Sequence, residues 1–112
     1  MAISHFDFGE VKHEEMLYDT HGKEIGKLQM FENGLSLRYE TDDEDVSEKV
    51  PFLNIISIEQ IDGAVLPGKM LARIAFQDMY GDKYQPILEI SEQGFSILKT
   101  LKAQSETKTK RG

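Results

Sequence analysis

The chain has 112 residues, of which 39% are hydrophobic and none is cysteine, and its formal net charge is −7. This length suits one domain with one core, and the lack of cysteine excludes a disulfide framework and thiolate chemistry. The excess of acids, 20 against 13 basic residues, disfavours tight binding to nucleic acid or anionic lipid. No apolar run is long enough to span a membrane and the N-terminus does not resemble a signal peptide, so a cytoplasmic location is expected.

The first half of the chain predicts short antiparallel strands. Residues 14–20 are a strand candidate, and His21 with Gly22 follows as a turn. Residues 23–39 then predict the clearest hairpin, because apolar and polar residues alternate on both sides of Asn33 and Gly34. The alternation assigns three residues of the returning strand to one face, namely Leu35, Leu37 and Tyr39.

An acidic run interrupts the strand pattern at residues 41–49, TDDEDVSEK. Its four consecutive acids are Asp42, Asp43, Glu44 and Asp45. No packed element favours such a run, so an exposed connection is expected. The run lacks the alternating acids and the glycine of a helical calcium loop. We therefore interpret these four residues as candidate contacts for a protein partner, including a basic one.

The densest apolar run follows at residues 50–63, VPFLNIISIEQIDG. Its period near two and its β-branched residues predict a strand with one buried face. Strict alternation assigns Phe52, Ile56 and Ile58 to that face. Residues 51–54 are expected to form a kink between two strands, because Pro51 cannot donate to a central ladder.

A loop is predicted at residues 62–69, DGAVLPGK, with an apolar tip between turn residues. Val65, Leu66 and Lys69 are the second set of candidate partner contacts. Residues 70–78 and 84–90 predict another hairpin, in which Pro86 indicates an edge position or a bulge.

The last element is predicted as an amphipathic helix over residues 91–104. Phe95, Leu98 and Leu101 share one face, and Ser91 is the expected N-cap. The tail, residues 105–112, has no apolar residue and is expected to be disordered. The chain is therefore divided into one domain, residues 1–104, and this tail.

About seven antiparallel strands followed by one C-terminal helix predict a mainly β barrel or sandwich. The segments LSLRYE, VPFLNIISIEQ, MLARIAF, YQPILEI and FSILKTLK, in this order, resemble the pleckstrin-homology-like superfold, in particular its small microbial and GRAM-type members. The resemblance implies a partly open barrel with the last helix plugging one end. A separate antiparallel sheet with a packed helix would show a similar pattern.

The resemblance also raises the question of whether this chain binds inositides. Lipid-binding members of the superfold grip inositol phosphates with Lys and Arg in the loop between the first two strands. The corresponding segment here, DTHGKE, offers only His21 and Lys23 beside two acids. This departure disfavours inositide binding.

The sequence contains no clear catalytic constellation. His5, His13 and His21 are eight residues apart, which matches neither a helical metal pair nor a finger motif. No glycine-rich turn forms a phosphate loop, and Ser91 is better explained as a cap than as a nucleophile. No enzyme activity, cofactor or metal is expected.

Two functions remain in view. The first is a non-catalytic protein-interaction module that uses a strand edge or a helix–sheet groove. The edge is expected near residues 14–20 or at the strand after the acidic run. The alternative is a membrane-surface, lipid-binding or ligand-binding module that uses the tip with Val65, Leu66 and Lys69. Partners are expected to be protein, with a second copy of the chain as one possibility, rather than nucleic acid or membrane.

Overall fold

The structure is a computed structural model that describes residues 7–78 and 80–111, the side chains of residues 107–111 excepted. The described residues form a curled antiparallel sheet and one α-helix, which confirms the mainly β prediction. The strands are β1 (Val11–Tyr18), β2 (Glu24–Phe31), β3 (Gly34–Glu40), β4 (Asp45–Pro51), β5 (Ile55–Ile61), β6 (Lys69–Gln77), β7 (Lys83–Tyr84) and β8 (Ile87–Ser91). The helix is α1 (Glu92–Arg111), and a 3-10 turn at Phe52–Asn54 joins β4 to β5.

The sheet is a half-barrel with the order β4-β3-β2-β1-β8-β6-β5, and the short β7 pairs with β6. β1 and β8 are joined through a single residue pair, Tyr18 with Glu89, whereas β1 and β2 pair along most of their length. The sheet therefore divides into two halves at this junction. β4 and β5 are consecutive in the chain but lie at opposite ends of the strand order, which leaves the barrel partly open. Strand order and terminal helix are consistent with the pleckstrin-homology-like topology.

The core lies between the concave face of the sheet and α1. The residues predicted for one face of β3 are all buried, namely Leu35, Leu37 and Tyr39. α1 contributes Leu98 and Leu101 to the core, with Phe95 packed against it, so the predicted apolar face of the helix is confirmed. The Ser91 hydroxyl accepts a hydrogen bond from the Gly94 N–H at 2.8 Å, which confirms the predicted N-cap.

The face assignment of the run after Pro51 is partly wrong. Ile56 is 54% exposed, whereas its neighbour Ile55 is 4% exposed and belongs to the core. The cause is a β-bulge, because Ile55 pairs with Phe76 and Ser57 already pairs with Ala75. The extra residue turns Ile56 outward. The predicted kink at residues 51–54 is confirmed as the 3-10 turn.

Two turns differ from expectation. The exposed acidic connection is shorter than predicted, because β4 already begins at Asp45. The hairpin at Asn33 and Gly34 is present, but neither residue has positive φ. Gly34 is required instead by close packing, since a Cβ there would lie 2.5 Å from the Phe8 ring and 2.6 Å from the Val50 carbonyl oxygen.

The predicted edges are partly corrected. Pro86 lies between β7, which pairs with β6 alone among the described strands, and β8, which lies between β1 and β6, so an edge ends just before this residue. The segment at residues 14–20 is not an edge, since β1 lies between β2 and β8. The strand after the acidic run does supply the edges, because it is divided into β4 and β5. The helix runs to Arg111, beyond the predicted end at residue 104.

Candidate functional site

The first candidate site is the free edge of β5. Among the described strands, β5 pairs with β6 alone. The outer side of such a strand presents unpaired backbone N–H and C=O groups, on which another strand can form a ladder. Beyond the bulge, residues 57–61 pair with β6 without a register shift, so the ladder that a partner strand would continue is uninterrupted there.

A groove lies between β5 and α1. Its volume is about 240 Å³, and its lining residues are Ser57, Ile58, Lys99, Lys102, Ala103 and Glu106. The four lining residues that belong to α1 are separated by three, one and three positions in the sequence, so they lie on one face of the helix. Two exposed apolar side chains precede the regular edge in the chain: Leu53, 60% exposed, and Ile56 at the bulge.

The charged groups of this groove come from α1. The Lys102 ammonium forms an ion pair with Glu106 at 2.5 Å, one helical turn further on. The Lys99 ammonium lies 5.6 Å from the centroid of the Phe95 ring and is exposed to solvent. Lys99 forms no ion pair among the described residues, so its charge is available to a bound partner.

These groove residues were not among the predicted partner contacts. A signal was present, because the spacing places four residues on a helical face that borders the apolar face, namely Lys99, Lys102, Ala103 and Glu106. Sequence could not show that this face lies next to β5, because the two segments are about forty residues apart and meet only through the curl of the sheet.

The predicted acidic contacts lie at the loop end of the half-barrel. Asp42, Asp43 and Glu44 form the β3–β4 connection, Asp45 opens β4, and all four are exposed. Asp42 and Asp43 line a groove of about 620 Å³ together with residues of the β1–β2 turn. Whether they contact a partner remains a prediction.

The β1–β2 turn that faces this groove is held by Asp19. Its carboxylate accepts the backbone N–H groups of His21 and Lys23, each at 2.9 Å. Hydrogen bonding from the Lys23 N–H is the largest cause that lowers the pKa of Asp19 below its ordinary value. The carboxylate of Asp19 therefore adds a negative charge to the lining of this groove.

The other three predicted contacts lie around the β5–β6 loop. Val65 is 57% exposed, and Leu66 is half-buried against Gly22 of the β1–β2 turn. The ammonium of Lys69 lies 5.1 Å from the Tyr18 ring centroid. The β1–β2 turn thus contacts the apolar tip and also lines the acidic groove, so both predicted sets flank one turn.

The backbone of this loop is anchored by a buried carboxylate. Glu89 is fully buried, and its Oε1 accepts the N–H groups of Val65 and Leu66, the latter at 3.2 Å. Its Oε2 is buried and has no hydrogen-bond partner among the described residues. This contact fixes the loop against β8 and limits how far the tip can move.

A second carboxylate organises the start of α1. The Glu15 carboxylate accepts the Ser91 N–H at 2.7 Å and the Ser91 hydroxyl at 2.6 Å. His13 Nε2 lies 2.7 Å from Glu15 Oε1. Hydrolytic triads place the imidazole between hydroxyl and carboxylate, whereas here the carboxylate lies between the other two. The arrangement tethers α1 to β1 and differs in order from a hydrolytic triad.

The histidines considered as metal ligands are not brought together in the described part of the chain. His13 bonds Glu15, and His21 lies in the β1–β2 turn. His5 lies outside the described residues. Within residues 7–78 and 80–111, no group of three or more His, Cys, Asp or Glu side chains is placed to hold a metal ion.

The polarity of α1 bears on whether this helix could span a bilayer. Over its described residues, it is too polar to cross a membrane.

Comparison with known proteins gave no match to a family model, a curated protein or a solved structure. Function is therefore inferred from the geometry and charges of this chain.

Proposed function

We propose that this protein is a non-catalytic interaction module that binds an extended peptide segment as an additional strand on the free edge of β5. The observation that carries the proposal is the free edge of residues 57–61 beside the β5–α1 groove. Main-chain hydrogen bonds to the edge would supply affinity, and the groove would receive alternate side chains of the peptide.

The free edge of β4 supports docking less well. β4 carries Asp45, Glu48 and Lys49, of which Asp45 and Lys49 are exposed, and charged side chains on an edge strand discourage pairing with another strand. On the regular part of β5 the one charged residue is Glu59, which pairs with Arg73 of β6 at 3.4 Å. The apolar Ile58 beside it lines the groove.

A membrane-surface role is the alternative. It would use the tip of the β5–β6 loop, where Val65 is well exposed but Leu66 is partly covered. The Lys69 ammonium lies over the Tyr18 ring, and the acids of the β3–β4 connection lie at the same end. One large exposed apolar side chain beside several acids gives weak attraction to anionic lipid, which favours the edge of β5.

Selection of peptides from a random displayed library, followed by mapping on the isotope-labelled protein, tests the proposal. We expect the largest amide shifts at residues 57–61 of β5 and at residues 99–103 of α1. Ala103→Trp should abolish binding of the selected peptides, because the indole would fill the groove. Ala64→Trp places the same side chain on the exposed loop tip and should leave binding unchanged.

Two results would contradict the proposal. One is a selection that yields no peptide with saturable binding. The other is a peptide whose shifts lie at the β3–β4 connection and the Val65 tip, and whose affinity responds to Ala64→Trp but not to Ala103→Trp.

A further inference from the structure

The positive charge of this protein is concentrated at its C-terminal end. Residues 99–112 carry five basic residues and one acid, whereas residues 1–98 carry eight basic and nineteen acidic residues. The basic residues of the C-terminal segment are Lys99, Lys102, Lys108, Lys110 and Arg111. Net charge therefore changes sign within α1, and the positive part begins where α1 lines the β5–α1 groove.

We propose that the β5–α1 groove takes an acidic peptide segment, an inference that rests on the proposed function. Lys99 is exposed at the groove and forms no ion pair among the described residues. Lys102 is one helical turn away and already forms an ion pair with Glu106. An extended peptide with carboxylates on one face can reach Lys99 directly and share Lys102, while its backbone pairs with β5.

The net negative charge of residues 1–98 adds to the selectivity of the groove for an acidic peptide. An acidic peptide is repelled by most of the surface and attracted to the α1 end, so the field of the protein directs it towards this groove. A basic peptide would be drawn to the acidic groove at the opposite, loop end instead. The same chain thus separates its binding surfaces by charge.

A fluorescent eight-residue peptide of alternating Val and Glu is the probe, compared with versions that carry Gln or Lys in place of Glu. We expect the Glu version to bind more tightly than the Gln version, and the Lys version to bind elsewhere or not at all. Raising the salt concentration from about 50 mM to about 500 mM should weaken the Glu version and leave the Gln version nearly unchanged.

Charge-reversal variants locate the binding. Lys99→Glu should weaken the Glu peptide about tenfold, since it removes one ion pair and adds a repulsion. Lys83→Glu changes the net charge equally at an exposed position of β7 and should leave affinity within about twofold. Equal losses in both variants would indicate a general effect of net charge and overturn the inference.

N-methylated peptides separate this inference from the proposed function. Two peptides are made, one methylated at the odd-numbered amides and one at the even-numbered amides. In one of them the lost N–H donors face β5, and in the other they face solvent, so only one of the two methylation registers should abolish binding. If this register effect holds but the Gln peptide binds as well as the Glu peptide, the acidic preference is wrong and strand addition stands. If neither register matters while Lys99→Glu still weakens binding, strand addition is wrong.

Two further outcomes overturn the inference. One is no saturable binding of the Glu peptide up to about 1 mM. The other is tighter binding of phosphatidylserine vesicles or of duplex DNA than of the peptide, which would assign the basic end of α1 to a membrane or to nucleic acid.

Discussion

At the scale of single residues, burial in this protein depends on local irregularity as much as on residue type. Ile55 and Ile56 are identical and adjacent, yet one belongs to the core and the other is mostly exposed. The bulge between Ile55 and Ser57 causes the difference, since it moves one residue out of the ladder. Ile58 then packs against the core as a partly buried residue.

This contrast gives a matched pair of substitutions. Ile55→Ala should lower the free energy of unfolding by about 2–5 kcal/mol, through lost burial and the cavity that remains. Ile56→Ala removes the same atoms from an exposed position and should change stability by less than about 0.5 kcal/mol. Urea denaturation of both variants measures this. Comparable losses of unfolding free energy in the two variants would contradict a bulge between Ile55 and Ser57.

Tyr39 makes stability depend on pH in the alkaline range. Burial, with the nearby Glu44 carboxylate as a smaller cause, raises the pKa of Tyr39 from 10.0 to about 12. Between these values the folded state keeps a proton that the unfolded state has lost, so the free energy of unfolding falls as pH rises. Below pH 10 this group adds no pH dependence.

Tyr39→Phe should therefore reduce the fall in stability between pH 10 and about 12. A smaller fall should persist in the variant, because the pKa of Tyr84 is raised as well, mainly by burial. Denaturant unfolding across this range, for the wild type and the variant, measures the difference. Parallel stability curves would contradict the role given to Tyr39.

At the scale of elements, the start of α1 is determined by a contact with β1. Ser91 caps the helix, and Glu15 of β1 binds both the N–H and the hydroxyl of Ser91. Gly94 lies against this carboxylate: an added Cβ would lie 2.9 Å from Glu15 Cδ and 3.0 Å from the Ser91 hydroxyl oxygen, and would overlap Glu15 Oε1. From sequence, Gly94 is only an unfavourable helix residue, whereas the structure gives it a packing role.

Gly94→Ala tests this contact. In an unobstructed helix the change would stabilise by up to about 1 kcal/mol, but here it should destabilise by about 1–3 kcal/mol because the methyl group displaces Glu15. Introduced into a Glu15→Ala background, the same change should be neutral or stabilising. The double-mutant cycle by denaturant unfolding gives the coupling. A stabilising Gly94→Ala in the wild type would contradict this account.

At the scale of the whole molecule, α1 completes a half-barrel that cannot close itself. β4 and β5 lie at opposite ends of the strand order, and the 3-10 turn between them packs against α1. Leu98 and Leu101 cover apolar residues that would otherwise face water. The helix therefore belongs to the folding unit, although it follows the last strand.

Two truncations test how much of α1 is needed. A chain of residues 1–90 should aggregate or lose cooperative unfolding, because the core would be open at the helix side. A chain of residues 1–104 keeps Leu98 and Leu101, loses the exposed Lys102–Glu106 ion pair, and should melt within about 3 °C of the full chain. Calorimetry measures both. A folded, cooperative 1–90 fragment would contradict the role of the helix.

The sequence by itself determined the fold class, the buried face of β3, the kink after Pro51 and the capped helix with Phe95, Leu98 and Leu101. These features depend on local periodicity, capping and turn chemistry, which neighbouring residues specify. Only the tertiary structure decided which strands form the edges, that Ile56 faces outward, and that Lys99 lies beside β5. These features depend on which distant segments pair and on one extra residue in a ladder, and local sequence carries no measure of either.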